Sequence, residues 1–135
     1  MKPSPPLSMK THVLLVDDEN EIRELLALAF ANHGYRCTSV ATAREARHAV
    51  RSDPPNLIVC DLQLEDEDGL VLLADLKEAV PQAPRILLTG ILLDPQVAET
   101  TLAGIISAYI PKPTRLARVV EEANRLLGRT DPGPA

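Results

Sequence analysis

The sequence predicts a doubly wound α/β domain, a parallel sheet with helices on both faces. Three observations carry this. Short apolar runs alternate with amphipathic stretches five times along the chain, and strict strand–helix alternation implies parallel strands joined by right-handed crossovers. Each apolar run stops abruptly at polar residues. The chain has 135 residues, 45% of them hydrophobic, which fills one core and is too short for two ordinary domains.

The first run, His12–Val16, ends in Asp17-Asp18-Glu19. From Glu19 to His33 the apolar residues Ile22, Leu25, Leu26 and Ala29 fall at helical spacing, and Gly34 stops the helix. Arg36–Val40 reads as the second strand. Thr42-Ala43-Arg44-Glu45 has the capping-box pattern that opens a helix, which ends before Pro54-Pro55. Leu57–Cys60 is the third run, ending at Asp61, and an acidic loop leads to Gly69 and a helix over Leu70–Val80. Arg85–Leu88 is the fourth run, ending at Thr89-Gly90. Asp94-Pro95 supplies a cap oxygen and a first-turn proline, and Gly104 marks the expected end of that helix. Ile105–Ile110 is the fifth run, ending at Pro111-Lys112-Pro113. The last helix starts near Thr114, shows Leu116, Val119, Val120, Ala123, Leu126 and Leu127 on one face, and stops at Gly128.

Composition narrows the function. Aromatics make up 2% of the chain, so the core is aliphatic. A net charge of −5 with no long basic run argues against direct binding to nucleic acid. Cys37 and Cys60 make no disulfide framework and no metal spacing, and Cys60 reads as a small buried hydrophobe. No segment has transmembrane length or the form of a signal peptide, which fits a cytoplasmic protein without membrane insertion. Residues 1–10, rich in Pro and Ser, read as a disordered leader, 11–128 as the domain and 129–135 as a flexible, unpacked tail. His12, His33 and His48 read as ordinary surface or edge residues, and Asp66, Glu67 and Asp68 as a solvated loop and helix start.

In open parallel sheets the functional crevice lies beyond the carboxyl ends of the strands. That rule gathers Asp17 and Asp18, Asp61, Thr89 and Lys112 at one edge. Three carboxylates so placed repel one another unless a cation intervenes. Their oxygens are hard ligands, suited to Mg²⁺ rather than Zn²⁺. A lysine and a threonine beside them suit phosphate oxygens, and a carboxylate can itself accept a phosphoryl group. Each residue also has a plainer reading. Acids at a helix start suit the dipole, an isolated lysine is usually on the surface, a threonine can merely cap a strand, and Tyr109 can simply pack on the last helix.

Val13-Leu14-Leu15-Val16-Asp17-Asp18-Glu19, Ile58-Val59-Cys60-Asp61, Leu87-Leu88-Thr89-Gly90 and Tyr109-Ile110-Pro111-Lys112-Pro113, in that order and with Gly69 following Asp61, resemble response-regulator receiver domains of two-component signalling. The resemblance runs from about Thr11 to Gly128. It implies a flavodoxin-like sheet of five parallel strands in the order 2-1-3-4-5, with five helices. It implies that Asp61 is the phosphoacceptor, that Mg²⁺ is held by Asp17, Asp18, Asp61 and the backbone carbonyl of Gln63, and that Lys112 and Thr89 contact the phosphoryl group. It further implies a cis Lys112–Pro113 bond and a switch pair of Thr89 and Tyr109.

The implied partners are a histidine kinase or phosphotransfer protein as donor and an output protein of unknown identity, bound at the face of helix four, strand five and helix five. A homodimer formed on phosphorylation is a further expected output. Such a protein is not an enzyme beyond Mg²⁺-dependent self-phosphorylation and slow self-dephosphorylation.

Two departures stand out. Leu64-Glu65 replaces the family's frequent Met-Pro, and the apolar Ile91 cannot position an attacking water, so a long-lived phospho-form is expected. The alternatives are a phosphorylation-independent adaptor of receiver shape, a receiver fragment of a longer regulator, and a phosphatase with an aspartyl nucleophile. The intact acid set with Lys112 argues against the adaptor. Gln63, where a phosphatase would carry a second acid, argues against the enzyme.

Overall fold

A computed structural model of the chain describes residues 10–129. Five strands, β1 His12–Val16, β2 Arg36–Val40, β3 Leu57–Cys60, β4 Arg85–Thr89 and β5 Ala108–Pro111, alternate with α1 Asn20–Asn32, α2 Ala43–Ser52, α3 Gly69–Ala79, α4 Pro95–Thr100 and α5 Leu116–Leu127. The sheet has the predicted order β2-β1-β3-β4-β5, with every pair parallel.

Side-chain alternation along the strands divides the core in two. Leu14, Val16, Ile58, Cys60 and Leu87 point to one face, where α2 and α3 lay Ala43, Ala46, Val50, Leu72, Leu73 and Leu76. Val13, Leu15, Val59, Ile86 and Leu88 point to the other, against Leu26 and Phe30 of α1 and Val119, Val120 and Ala123 of α5. Strands buried on both faces read as unbroken apolar runs, and this is why the sequence pattern was clear.

The helix ends follow the capping chemistry. Thr42 Oγ1 accepts from the Glu45 amide at 3.1 Å, and Asp94 Oδ1 accepts from the Gln96 amide at 2.8 Å. Gly34 and Gly128 end α1 and α5 with φ of 83° and 68°, a conformation that costs glycine little.

Several expectations change. α4 stops at Thr100 and not at Gly104. It buries no residue, so no packed face extends it, and the chain continues through turns in which the Ile105 and Ile106 amides both donate to the Leu102 carbonyl at 2.8 Å. β5 accordingly begins at Ala108, and the apolar Ile105 and Ile106 pack in that turn against the α2–α3 side of the core.

His12 is buried, not superficial: its Nε2 lies 2.7 Å from Thr38 Oγ1 and its Nδ1 3.4 Å from the Pro54 carbonyl. Burial, opposed by that carbonyl, holds its pKa below the ordinary value. His48 is exposed as expected, and His33 is half-buried with Nδ1 2.8 Å from the Ala29 carbonyl.

The loop acids lie in a solvated loop and at a helix start as expected, Asp66 and Asp68 exposed and Glu67 half-buried, and they are also hydrogen-bonded. Asp66 accepts from the Ala43 and Arg44 amides at 3.0 and 3.1 Å, Arg47 donates to Glu67 at 2.5 Å, and Asp68 caps α3. Of the expected leader and tail, only Lys10 and Arg129 are described. Arg129 is anchored, its amide donating to the Asn124 carbonyl at 2.8 Å and its guanidinium lying 4.1 Å above the Tyr35 ring.

Candidate functional site

The crevice beyond the strand ends is built from β1, β3, β4 and β5. Asp17 follows β1 and is anchored on both sides: its amide donates to the Val40 carbonyl at 3.1 Å, and Arg23 of α1 donates to its carbonyl at 2.6 Å. Asp17 Oδ1 accepts from the Glu19 amide at 2.9 Å, folding the chain into a tight turn. Asp61 follows β3, with its amide on the Val16 carbonyl at 3.0 Å. Lys112 follows β5, with its amide on the Thr89 carbonyl at 2.8 Å, and the Lys112–Pro113 peptide bond is cis, as the resemblance implied.

The Lys112 ammonium joins these elements. Nζ lies 2.9 Å from Asp17 Oδ2, 3.3 Å from Asp61 Oδ2 and 3.4 Å from Glu19 Oε1. Asp17 and Asp61 are 3% and 7% exposed, so their contacts with Lys112 are largely shielded from water, while the Glu19 carboxylate is exposed. Burial pushes the Asp17 carboxyl above its usual range, against the opposing pull of the Glu19 amide and Lys112. For Lys112, burial would depress the ammonium pKa, but the Asp17 and Asp61 carboxylates outweigh it and hold the group above its ordinary value. Asp17 and Lys112 both shift upward because burial dominates for the acid and the attraction of the acids dominates for the amine.

Carboxylate oxygens of Asp17, Glu19 and Asp61 come within 4.8 Å of one another. Asp18, half-buried, is not in that group. Glu19 is the residue that sequence reasoning left without a role. Its place depends on the turn closed by Asp17 Oδ1, which returns the side chain two residues on to the crevice. The group holds only hard oxygens, with no imidazole or thiolate, which suits a Mg²⁺ ion. Beside it, burial raises the thiol pKa of Cys60, whose Sγ lies 3.2 Å from the Asp61 carbonyl, so this cysteine is an inert part of the core.

Gly69 sets the position of Asp61. A Cβ there would lie 2.0 Å from the Asp61 carbonyl oxygen and 3.0 Å from Leu62 Cα. Its amide donates to the Leu62 carbonyl at 2.6 Å, and Gln63 and Asp68 form a bridge, so the loop after the acid closes on itself.

Thr89 is buried at the end of β4, and its Oγ1 accepts from the Ile91 amide at 3.2 Å. Tyr109 is half-buried. Its hydroxyl donates to the Ile91 carbonyl at 3.1 Å and accepts from the Leu93 amide at 3.2 Å. Both residues therefore hold the same short segment, 91–93. The Gln63 side chain is exposed, and its amide lies 3.4 Å from Asp61 Oδ1.

Comparison with known proteins agrees with this geometry. The family model of the response regulator receiver domain matches residues 13–124. The chain is 32% identical over 121 residues to the probable transcriptional regulatory protein TcrX of Mycobacterium tuberculosis, covering 87% of this chain and 50% of that one. It spans only part of such longer relatives, 50% of TcrX and 23% of the transcriptional regulatory protein GlrR of Escherichia coli.

The crystal structure of a CheY-like receiver domain protein from Methanospirillum hungatei superposes with a TM-score of 0.80 at 26% identity, over 87% of this chain and 94% of that one. The response regulator TrrA of Thermotoga maritima, solved with Mg²⁺ and BeF, has the same fold, with a TM-score of 0.75 at 24% identity over 86% and 98%. With the matched model spanning most of the chain and the sheet order in agreement, this protein belongs to the response regulator receiver domain family, the signalling switches of two-component systems.

Proposed function

We propose that the protein is a phosphorylation-dependent signalling switch whose phosphoacceptor is Asp61, with a histidine kinase or phosphotransfer protein as donor. The observation that carries this reading is the placement of Lys112 Nζ against Asp17 and Asp61 in a shielded crevice at the strand ends. A carboxylate oxygen of Asp61 attacks phosphorus, an O–P bond forms, and the donor's N–P bond breaks, the donor imidazole leaving with the bonding pair. Lys112 then places its positive charge on a phosphoryl oxygen, and the Thr89 hydroxyl donates to another, in keeping with a transfer that depends on positioning and charge neutralisation.

Asp17, Asp18, Asp61 and the Gln63 carbonyl are the residues that would hold Mg²⁺, which supplies neutralisation of charge on the transferring group. The Lys112 ammonium offsets part of the negative charge of Asp17, Asp61 and Glu19. When the Thr89 hydroxyl turns to the phosphoryl group it leaves the Ile91 amide, and Tyr109, bonded to both Ile91 and Leu93, changes its grip on the same segment. That shifts an existing equilibrium between two loop arrangements. The output passes by contact to a partner protein or a second copy of the chain. Among the described residues no helix is long and apolar enough to cross a membrane.

Incubation with Mg²⁺ and a small phosphodonor, followed by intact mass measurement, tests the assignment. A single phosphoryl adduct lost in Asp61→Ala supports it. An adduct that survives in Asp61→Ala moves the acceptor elsewhere, and the absence of any adduct favours an adaptor of receiver shape.

A further inference from the structure

Three carboxylates lie around the Lys112 ammonium, and one differs from the other two. Asp17 and Asp61 are buried, whereas the Glu19 side chain is 58% exposed, with Oε1 3.4 Å from Lys112 Nζ. Glu19 holds the N-cap position of α1, yet its side chain makes no capping bond to that helix. Its main chain is fixed instead, the amide donating to Asp17 Oδ1 at 2.9 Å and the carbonyl accepting from the Arg23 amide at 3.1 Å. The carboxylate thus stands where the crevice opens to solvent, one of its oxygens within 4.8 Å of a carboxylate oxygen of Asp61. A group that reaches Asp61 from solvent comes close to it.

We propose that Glu19 is a specificity-determining residue, which favours N–P phosphoryl donors over dianionic acyl phosphates. The inference rests on the reading of Asp61 as phosphoacceptor and names the donor class of that site. In either reaction a carboxylate oxygen of Asp61 forms a bond to phosphorus. With a phosphoramidate the N–P bond breaks and the nitrogen leaves with the bonding pair. That donor carries a proton on nitrogen, which cancels one of the phosphoryl charges, and a phosphohistidine does the same when its second ring nitrogen is protonated. With an acyl phosphate the O–P bond breaks and a carboxylate leaves with the pair, and near neutral pH the donor approaches as a full dianion. Glu19 therefore repels the acyl phosphate through one more unit of charge. At about 6 Å, with the water-like screening of an exposed carboxylate, that unit is worth about threefold in rate.

Rate constants for phosphoryl uptake from phosphoramidate and from acetyl phosphate, followed by intact mass on the full chain at saturating Mg²⁺ and low salt, test this. The ratio of the acetyl phosphate constant to the phosphoramidate constant rises about threefold in Glu19→Gln. Because each ratio is taken on one protein, differences in folding or in the amount of active chain cancel. Asp18, Lys112 and Arg23, whose guanidinium lies 2.6 Å from the Asp17 carbonyl, are common to wild type and variant and drop out of the comparison. The gap between the two proteins closes as salt is added. Glu78→Gln removes the same charge from an exposed site at the far end of α3, roughly 14 Å along the helix from Gly69, and leaves the ratio unchanged. A ratio in Glu19→Gln equal to or below that of wild type overturns the role of Glu19 while leaving Asp61 as the acceptor. No uptake from either donor, or uptake that survives in Asp61→Ala, overturns both.

Discussion

Replacing Gly69 with alanine tests how the acceptor is positioned. The added Cβ would sit 2.0 Å from the Asp61 carbonyl oxygen, against about 3.0 Å for the closest real contacts, so the two backbones must part by about 1 Å. Both sides of the contact are main chain, and neither has a flexible side chain that could yield. With main chain on both sides of the contact, the overpacking falls in the upper part of the usual range, about 2–3 kcal/mol, offset by about 1 kcal/mol from the better helix propensity of alanine at the start of α3. A net loss of about 1–2 kcal/mol, divided by a urea slope of about 2 kcal/mol per molar, lowers the unfolding midpoint by roughly 0.5–1 M. A displacement of about 1 Å at the acceptor also slows phosphoryl uptake by up to about 100-fold.

Gly104→Ala is the control, because a Cβ there meets nothing within 4 Å and the backbone has no positive φ. Urea titration of both variants with phosphorylation kinetics provides the assay. If Gly69→Ala unfolds with the midpoint of Gly104→Ala and takes up phosphate at the wild-type rate, the steric reasoning is refuted.

Other consequences follow from the same contacts. The Asp17 carboxyl, raised by burial above 3.8, contributes stability that is complete below that value and lost as pH rises through the folded one. Asp17→Asn therefore melts higher than wild type near neutrality without Mg²⁺ and loses the stabilisation that Mg²⁺ gives, with the gap closing on acidification; a lower neutral melting point refutes this. Tyr109→Phe removes a hydroxyl that holds both Ile91 and Leu93, costing about 1 kcal/mol. Hydrogen exchange at the Leu93 amide rises accordingly, and unchanged exchange counts against the latch. Ile91 is 38% exposed and apolar, so Ile91→Glu shortens the phospho-form lifetime severalfold, within the about 100-fold a positioned base supplies; an unaltered decay of label argues against that role.

The strands were legible because burial on both sheet faces leaves unbroken aliphatic runs, and the capped helices because Thr42 and Asp94 act on amides two or three residues away. α4 and β5 were misjudged where Ile105 and Ile106 mimic a strand while packing in a turn. The acids and the lysine of the crevice could be found from one rule, the strand-end crevice. Glu19 could not, since its placement depends on a turn closed by another side chain. The burial of His12 and the hydrogen bonds of Asp66 were missed for a related reason. Their partners, Thr38 and the Ala43 and Arg44 amides, lie more than twenty residues away and are brought close only by the fold.

The most direct measurement is a crystal structure of the protein with Mg²⁺ and beryllofluoride, a mimic of the acyl phosphate. The expected result is beryllium bonded to an Asp61 carboxylate oxygen, with Lys112 Nζ and Thr89 Oγ1 each on a fluoride and Mg²⁺ among the acids. Beryllofluoride bound at another residue, or a saturated crystal whose Asp61–Lys112 contact is unchanged and which holds no ion, would contradict the assignment of Asp61.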